Sequence, residues 1–241
     1  MSMLRVENVS KSFGGLLALN ECSLSLERNQ IIGLIGPNGS GKTTLFNLIT
    51  GVLRPTSGEI YFQDQRITKL SPYAIARRGI SRTFQITRIF RGMTVIENLL
   101  VVARGDNHDG SLEKKAIELL KFVKLYELRD GYAGELSYGQ QKLLDFARAL
   151  MTEPVLVLLD EPTSGLYPAM LEQMVKQVQE MRGPDKTVFM IEHNMRVVMR
   201  LCDKIFVLDN GEKIAEGHPD SVRANRRVID SYLGMRNDSS G

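Results

Sequence analysis

Tryptophan is absent from the 241 residues, cysteine occurs twice and histidine three times. Cys22 and Cys202 are too few and too isolated for a disulfide framework or a metal site, so a reducing compartment is expected. Long apolar runs are missing as well. The most apolar stretches, "IIGLIG" and "VLVLLD", fall far short of the roughly 20 residues that span a bilayer, and the opening "MSMLRVENVSK" has no apolar core of signal-peptide length. The chain is therefore expected not to cross a membrane by itself. There is no strong charge of one sign: a net charge of +3 is too small to argue for nucleic acid. The one candidate basic cluster is Arg77, Arg78, Arg82, Arg88 and Arg91, and a solvated face accounts for it equally well. No fixed-period repeat and no low-complexity segment is visible. What remains is an ordinary globular composition, 43% apolar and 24% charged, sized for one domain or one domain with an insertion.

The N-terminal third reads as strands. "LRVENVS" and "CSLSLE" alternate, with Leu24 and Leu26 on one face, and "GEIYF" follows a Pro-Thr-Ser-Gly turn. Among them "IIGLI" has the continuous apolar character of a buried strand. It leads into a glycine-rich loop and a helix, "TTLFNLIT", for which Gly51 is a suitable C′ residue. From Pro72 to Met151 the pattern turns helical, including "LEKKAIELLKFVKLYEL" with Ala116, Leu119, Leu120, Val123 and Leu128 near a 3.6 period; "GDNHDG" before it reads as an exposed loop. Strand and helix then alternate through "VLVLL", "MLEQMVKQVQEMR" closing at Gly183, "TVFMI" and "NMRVVMRLC", the order of a parallel sheet with crossover helices. The hairpin "KIFVLD-NG-EKIAEG" turns at Asn210-Gly211. A short helix around "RRVIDSYL" precedes a tail, "NDSSG", expected to be disordered.

Two constellations carry chemistry. "GPNGSGKT", comprising Gly36, Pro37, Asn38, Gly39, Ser40, Gly41, Lys42 and Thr43, fits G-x-x-x-x-G-K-[ST] after a strand and before a helix. Such a loop turns backbone N–H groups onto a β-phosphate, with the helix N-terminus adding a favourable field. Lys42 would bridge the β- and γ-phosphates, the Thr43 hydroxyl would ligate Mg²⁺, and Thr44 could reach the α-phosphate. This is an ATP or GTP site. The strand "VLVLLDEP" ends in Asp160 and Glu161, which point opposite ways and can have two tasks. Asp160 would hold Mg²⁺ through water, and Glu161 would orient or deprotonate the attacking water.

A third stretch, "ELSYGQQKLLDFARAL", starts like a helix built to hold an anion. Ser137 and Gln140 have capping-box spacing, and Gly139 would let a ligand approach the backbone. A P-loop alone leaves GTPases, kinases, recombinases and helicases open. "LSYGQQ" shortly before "LLDEP" resembles the L-S-G-G-Q signature of ATP-binding cassette (ABC) ATPases, and the resemblance covers Leu4 to Gly234 with the motifs in order. It implies an α/β fold: a P-loop NTPase (RecA-like) core, an N-terminal antiparallel β subdomain and an inserted α-helical subdomain. Residues 1–71 and 152–241 would form the nucleotide-binding core with the β subdomain, and residues 72–151 the helical subdomain with the signature. It also implies that Phe13 stacks on adenine, that Gln85 contacts Mg²⁺ and the reaction water while sensing the transporter, and that His193 contacts the γ-phosphate. Lys42, Gln85, Glu161 and His193 are thus the expected catalytic set. Thr43, Gln85 and Asp160 are the metal set, and Ser137, Gly139 and Gln140 join the P-loop as nucleotide-binding residues. Two positions depart from the family pattern: Tyr138 replaces the first signature glycine, and Tyr167 in "SGLYP" stands where an aspartate is usual.

Within the family, "KSFGGLLALN", "GISRTFQITRIFRGMTVIENLLV", "YGQQ" and "VIDSYLG" resemble the ATPase of branched-chain (hydrophobic) amino acid importers. That resemblance implies a peripheral subunit on the cytoplasmic face of the membrane, paired with a second cassette so that ATP is sandwiched between them, as a homo- or heterodimer. Permease subunits would dock near Ile86–Leu99, with a substrate-binding protein as an indirect partner and no nucleic acid. A lipid or lipopolysaccharide export ATPase is the alternative, followed by a soluble ABC ATPase without a transport role.

Overall fold

The computed structural model describes residues 2–103, 110–182 and 186–237, with side chains as far as 231. The chain opens with two long strands, Ser2–Phe13 (β1) and Leu16–Glu27 (β2), then Ile31–Ile35 (β3), the helix Lys42–Ile49 (α1), and strands Ser57–Phe62 (β4) and Gln65–Arg66 (β5). Pro72–Arg77 (α2) and Ile80–Arg82 (β6) lead to helices Val95–Leu100 (α3), Ser111–Phe122 (α4) and Tyr138–Met151 (α5). Leu156–Asp160 (β7), Pro168–Met181 (α6), Thr187–Ile191 (β8), Met195–Leu201 (α7), Lys204–Asp209 (β9), Glu212–Gly217 (β10), Pro219–Arg223 (α8) and Arg226–Asn237 (α9) complete it.

Two sheets result. One is antiparallel, in the order β2-β1-β4-β5; the other runs β10-β9-β3-β8-β7-β6, parallel except for the β9–β10 hairpin. The side-chain period of two divides the apolar load of the parallel strands between two cores. Ile31, Val157, Val188 and Ile205 face the helices α3 to α7, whereas Ile32, Leu158, Phe189 and Phe206 face α1 and the antiparallel sheet. The same alternation puts Asp160, two residues after Leu158, on the α1 side.

The expected elements are found, with differences that have local causes. The stretch 72–151 is not helical throughout, because β6 pairs with β7 from Ile80↔Leu156 to Arg82↔Leu158 and belongs to the main sheet. Its three residues are too few to show a period. α4 ends at Phe122 rather than continuing to Leu128. Lys124 is left-handed (φ 58°), and Leu125 N–H bonds back to Leu120 C=O at 2.8 Å while Lys124 N–H bonds to Lys121 C=O, a Schellman closure without glycine. Gly51 closes α1 as expected (φ 70°, N–H to Leu48 C=O). α6 starts earlier than its periodicity suggested, with Pro168 at its first turn. Of the remaining expectations, residues 105–109 of the exposed loop, Gly183 and the tail after Asn237 lie outside the described residues.

Candidate functional site

The P-loop leaves the end of β3 and folds over the N-terminus of α1. Gly36 (φ 151°) runs so close to the next strand that a Cβ would stand 2.0 Å from the Leu208 carbonyl oxygen. Gly41 (φ 99°) faces the Ala18 carbonyl, at 2.6 Å from the same hypothetical atom. Both glycines are demanded by backbone, not by flexible side chains. Ser40 is buried, Asn38 and Gly39 are exposed, Pro37 is buried, and Thr43 and Thr44 are exposed and half-buried at the start of α1. Lys42 Nζ donates to Gly36 C=O (2.9 Å) and Pro37 C=O (2.6 Å). The ammonium is thus satisfied by carbonyls of its own loop. Burial pulls the Lys42 pKa below its ordinary value, while the negative fields of Glu161 and Asp160 act to raise it. Phe13, at the β1–β2 hairpin, keeps 45% of its surface exposed, with Lys11 Nζ 5.0 Å from the ring centroid. The same hairpin touches the loop through Ala18 and Leu19 at Gly41.

At the end of β7 the chain turns at Glu161, a non-glycine residue with φ 51°. Left-handed backbone at such a residue is strained and persists where the surroundings over-determine it. Here the Glu161 N–H is held by Ile191 C=O (3.0 Å) and its own carbonyl accepts from Lys142 Nζ (2.7 Å). The carboxylate is bracketed on both oxygens. His193 Nε2 shares a hydrogen bond with Oε1 (2.8 Å), and Gln85 Nε2 donates to Oε2 (3.1 Å). Three residues from three separate strand ends thus converge, as their motifs implied.

Asp160 points the other way. Its Oδ2 receives Arg82 Nη2 at 2.7 Å, with both side chains almost fully buried, while Oδ1 is buried with no partner among the described residues. An acceptor left free in this way fits a water of a Mg²⁺ shell, and the Thr43 hydroxyl and the Gln85 side-chain carbonyl would add two neutral oxygen donors. Among the described residues no group of three or more His, Cys, Asp or Glu side chains could hold a metal by itself. The donor set suits Mg²⁺ that keeps waters and phosphate oxygens as most of its ligands.

The signature turn is arranged differently. Ser137 caps α5: its Oγ accepts from Gln140 N–H (3.4 Å), and Ser137 N–H donates to Gln140 Oε1 (2.9 Å), completing the expected capping box. Gly139 is buried against α6, where a Cβ would meet Met170 Sδ at 2.3 Å. The obstacle there is the free end of the Met170 side chain and not backbone, unlike the carbonyls that face Gly36 and Gly41. Tyr138 lies over Gly165, whose own Cβ would come 2.9 Å from the ring, and Tyr167 is 80% exposed at the head of α6. The hydrogen bonds of Ser137 and Gln140 run to each other, and Gly139 packs on α6, so these three do not join the P-loop cluster.

Several organising residues escaped the sequence reading. Lys142 sits on the buried side of α5 beside Leu143, an unusual place for a lysine and the signal that could have found it; burial lowers its pKa. Glu192 is buried at the end of β8 and accepts from Thr163 N–H and Oγ1 (3.0 and 2.6 Å) and from His193 N–H (3.1 Å), fixing the turn that presents His193. Arg82, counted among a basic cluster, is a buried partner of Asp160 and not part of a solvated face. Of the segment Ile86–Leu99, the front half is open, with Ile86 80% and Phe90 46% exposed, whereas Val95 and Leu99 are core residues of α3. Behind Phe90 lies a cleft of about 540 Å³ lined by Val52, Ile75, Phe84, Val102 and Arg148.

Comparison with known proteins bears on the family and the fold. The family model described as ABC transporter matches residues 19–164, and one described as branched-chain amino acid ATP-binding cassette transporter matches residues 212–234. The chain is 40% identical to the high-affinity branched-chain amino acid transport ATP-binding protein BraF of Pseudomonas aeruginosa, and 39% identical to LivG of Escherichia coli, which carries the same description. Each alignment covers 96% of this chain and 98% of the relative. Among solved structures, a nucleotide-free ATP-binding cassette from an ABC transporter superposes with a TM-score of 0.88 at 37% identity, covering 96% of this chain and 99% of that one. A dimeric cassette bound to ADP and Pi gives 0.81 at 28%, covering 90% and 99%.

Proposed function

This chain belongs to the ABC transporter family of ATP-binding cassettes, and from that premise we propose that it hydrolyses Mg-ATP to drive uptake of branched-chain or other hydrophobic amino acids. The substrate class rests on relatives described as transporting branched-chain amino acids and on the match over residues 212–234. The catalytic reading rests on one observation, the Glu161 carboxylate held between Gln85 and His193.

ATP enters with its adenine against the Phe13 ring and its phosphates in the loop Gly36–Thr43. Lys42 exchanges the Gly36 and Pro37 carbonyls for β- and γ-phosphate oxygens. That exchange offsets the burial cost of its charge. Thr43, Gln85 and Asp160, the last through water, would hold Mg²⁺, which when bound would neutralise charge on the transferring phosphoryl group. Glu161 takes a proton from the attacking water as its oxygen bonds to the γ-phosphorus and the bond to the bridging oxygen breaks, releasing ADP. His193 and Gln85 keep that carboxylate aimed, and His193 reaches the γ-phosphate.

A second cassette, homo- or heterodimeric, supplies its own Ser137-type signature turn to the γ-phosphate, so ATP binds the closed pair better than ADP does. Closure then follows from differential binding. The permease docks at the exposed Ile86 and in the neighbouring cleft behind Phe90, where Phe84 and Phe90 with Arg88 and Arg148 give a partly apolar face. In this reading the subunit works at the cytoplasmic face of the membrane and indirectly with a substrate-binding protein; among the described residues no helix is long and apolar enough to span a bilayer.

Glu161→Gln tests the reading. It keeps both hydrogen-bonding positions but removes the base, so hydrolysis by the complex with its permeases should fall by about 10²-fold or more. ATP affinity should be retained, and light scattering should show an ATP-stabilised cassette pair. Hydrolysis within a few-fold of wild type would remove Glu161 from the chemistry.

A further inference from the structure

Arg82 belongs to none of the motifs read as facing nucleotide, yet both terminal nitrogens of its guanidinium are hydrogen-bonded beside the site, while Nε is buried without a partner among the described residues. Nη2 meets Asp160 Oδ2 at 2.7 Å; Nη1 donates to Asn47 Oδ1, in the last turn of α1, at 2.6 Å and lies 3.4 Å from Oγ1 of its C-cap residue Thr50. Its plane packs between the rings of Phe46 (5.5 Å) and Phe84 (4.9 Å). The side chain is 5% exposed and that of Asp160 only 2%.

We propose that Arg82 is the positioning residue of the metal site: it clamps Asp160 by one oxygen against α1, leaving Oδ1 fixed toward the water shell of Mg²⁺. This rests on the reading that the site takes Mg-ATP. Three physical points carry it. A carboxylate this deeply buried is costly to keep charged without a partner, and Arg82 is the only side-chain cation the described structure bonds to it. The planar fork bridges two elements, β7 through Asp160 and α1 through Asn47, and a lysine point charge cannot hold both ends in one plane. The remaining oxygen, Oδ1, is buried and has no partner among the described residues, so the clamp leaves one acceptor rather than two. Outer-shell partners of this kind orient a ligand that the metal itself touches or touches through water.

The sign of the effect separates positioning from electrostatics. A positive charge near a cation site weakens the cation, so removing Arg82 should tighten metal binding if charge alone mattered. Positioning predicts the reverse. The experiment uses the purified full chain with ADP and Mn²⁺ as the probe, reading free Mn²⁺ by electron paramagnetic resonance. Arg82→Lys keeps the charge and loses the bridge, and should raise the Mn²⁺ dissociation constant about tenfold, with metal-free ADP affinity, measured in EDTA, unchanged within about twofold. Arg82→Met should shift it in the same direction. Asn47→Ala, which loosens the guanidinium and alters no charge, should give a smaller shift of the same sign, and it decides the matter if the Arg82 variants do not fold. Unchanged or tighter Mn²⁺ binding in these variants, or an equal loss of metal-free ADP affinity, overturns the proposal. A wild-type chain that binds ADP and Mn²⁺ while the variants are unaffected defeats Arg82 alone. A wild-type chain that binds neither defeats the Mg-ATP reading with it.

Discussion

The two turns expected to touch phosphate, Gly36–Thr43 and Ser137–Gln140, both precede a helix, yet they are built on opposite principles. The P-loop is held from all sides by backbone: Gly36 abuts the Leu208 carbonyl, Gly41 abuts that of Ala18, and Gly211 N–H bonds to Ser40 C=O. Its lysine is turned inward and satisfied by carbonyls of its own loop. The signature turn is held by itself and by one flexible side chain. Its capping box closes locally, and the space at Gly139 is filled by the end of Met170. The first turn is a cradle fixed by backbone on several sides. The second is a helix start with Ser137 and Tyr138 exposed and Gly139 buried, which in the proposed reading meets a nucleotide held by another chain. A half-site of each kind on one chain is what a shared, two-chain site requires.

The largest expected effect breaks the first half. Gly36→Ala puts a Cβ 2.0 Å from a backbone oxygen that cannot swing aside, in a φ region unfavourable to any side chain. Relief needs movement of β9 against β3, so unfolding free energy should fall by about 3 kcal/mol or more, with nucleotide binding lost in whatever still folds. Chemical denaturation with a folded-state tryptic control measures it. Stability within about 0.5 kcal/mol of wild type would mean that the P-loop is not backbone-locked.

Ser137→Arg breaks the second half without touching the first. A long cation at the exposed cap should lower hydrolysis by the assembled transporter about 10²-fold, comparable to removing one transition-state donor. ADP affinity of the isolated subunit should stay within about twofold, because the Lys42 loop is untouched. If affinity and turnover fell together in the isolated chain, the two turns would not be separate halves.

The contrast also explains what the sequence revealed. Motifs that fold locally were legible: the loop Gly36–Thr43, the capping box at Ser137 and Gln140, and the acidic end of β7 each announce themselves within eight or so residues. The strands β3, β7 and β8 were legible as short continuous apolar runs, but the division of their side chains between two cores was not, because both faces are equally apolar. What stayed hidden depends on residues brought together from far apart. Arg82 looked like one charge in a surface cluster because nothing near it names Asp160 as its partner; only the β6–β7 pairing puts them on one face. Lys142 and Glu192 hold the backbone of Glu161 and His193, respectively, from other elements, by hydrogen bonds without sequence spacing. The open half of Ile86–Leu99 could not be told from its buried half, since Ile86 and Val95 are equally apolar and only the capping box at Thr94 turns the second inward.

The smallest expected effect sharpens the comparison most. Gly139→Ala would place its Cβ 2.3 Å from Met170 Sδ and 2.9 Å from Cε, a nominal clash about as severe as that at Gly36. The obstacle, however, is the free end of a thioether with several rotatable bonds, and Gly139 has no positive φ to defend. Met170 can turn away at a cost of about 1 kcal/mol or less, and alanine favours the helix over glycine by a comparable amount. Thermal unfolding should therefore shift little, and the double variant Gly139→Ala with Met170→Ala should show a coupling energy that cancels part of the Met170→Ala loss. A destabilisation as large as that of Gly36→Ala would show the signature turn to be locked by its surroundings as firmly as the P-loop, and the distinction between a backbone-fixed half-site and a side-chain-packed one would fail at that residue.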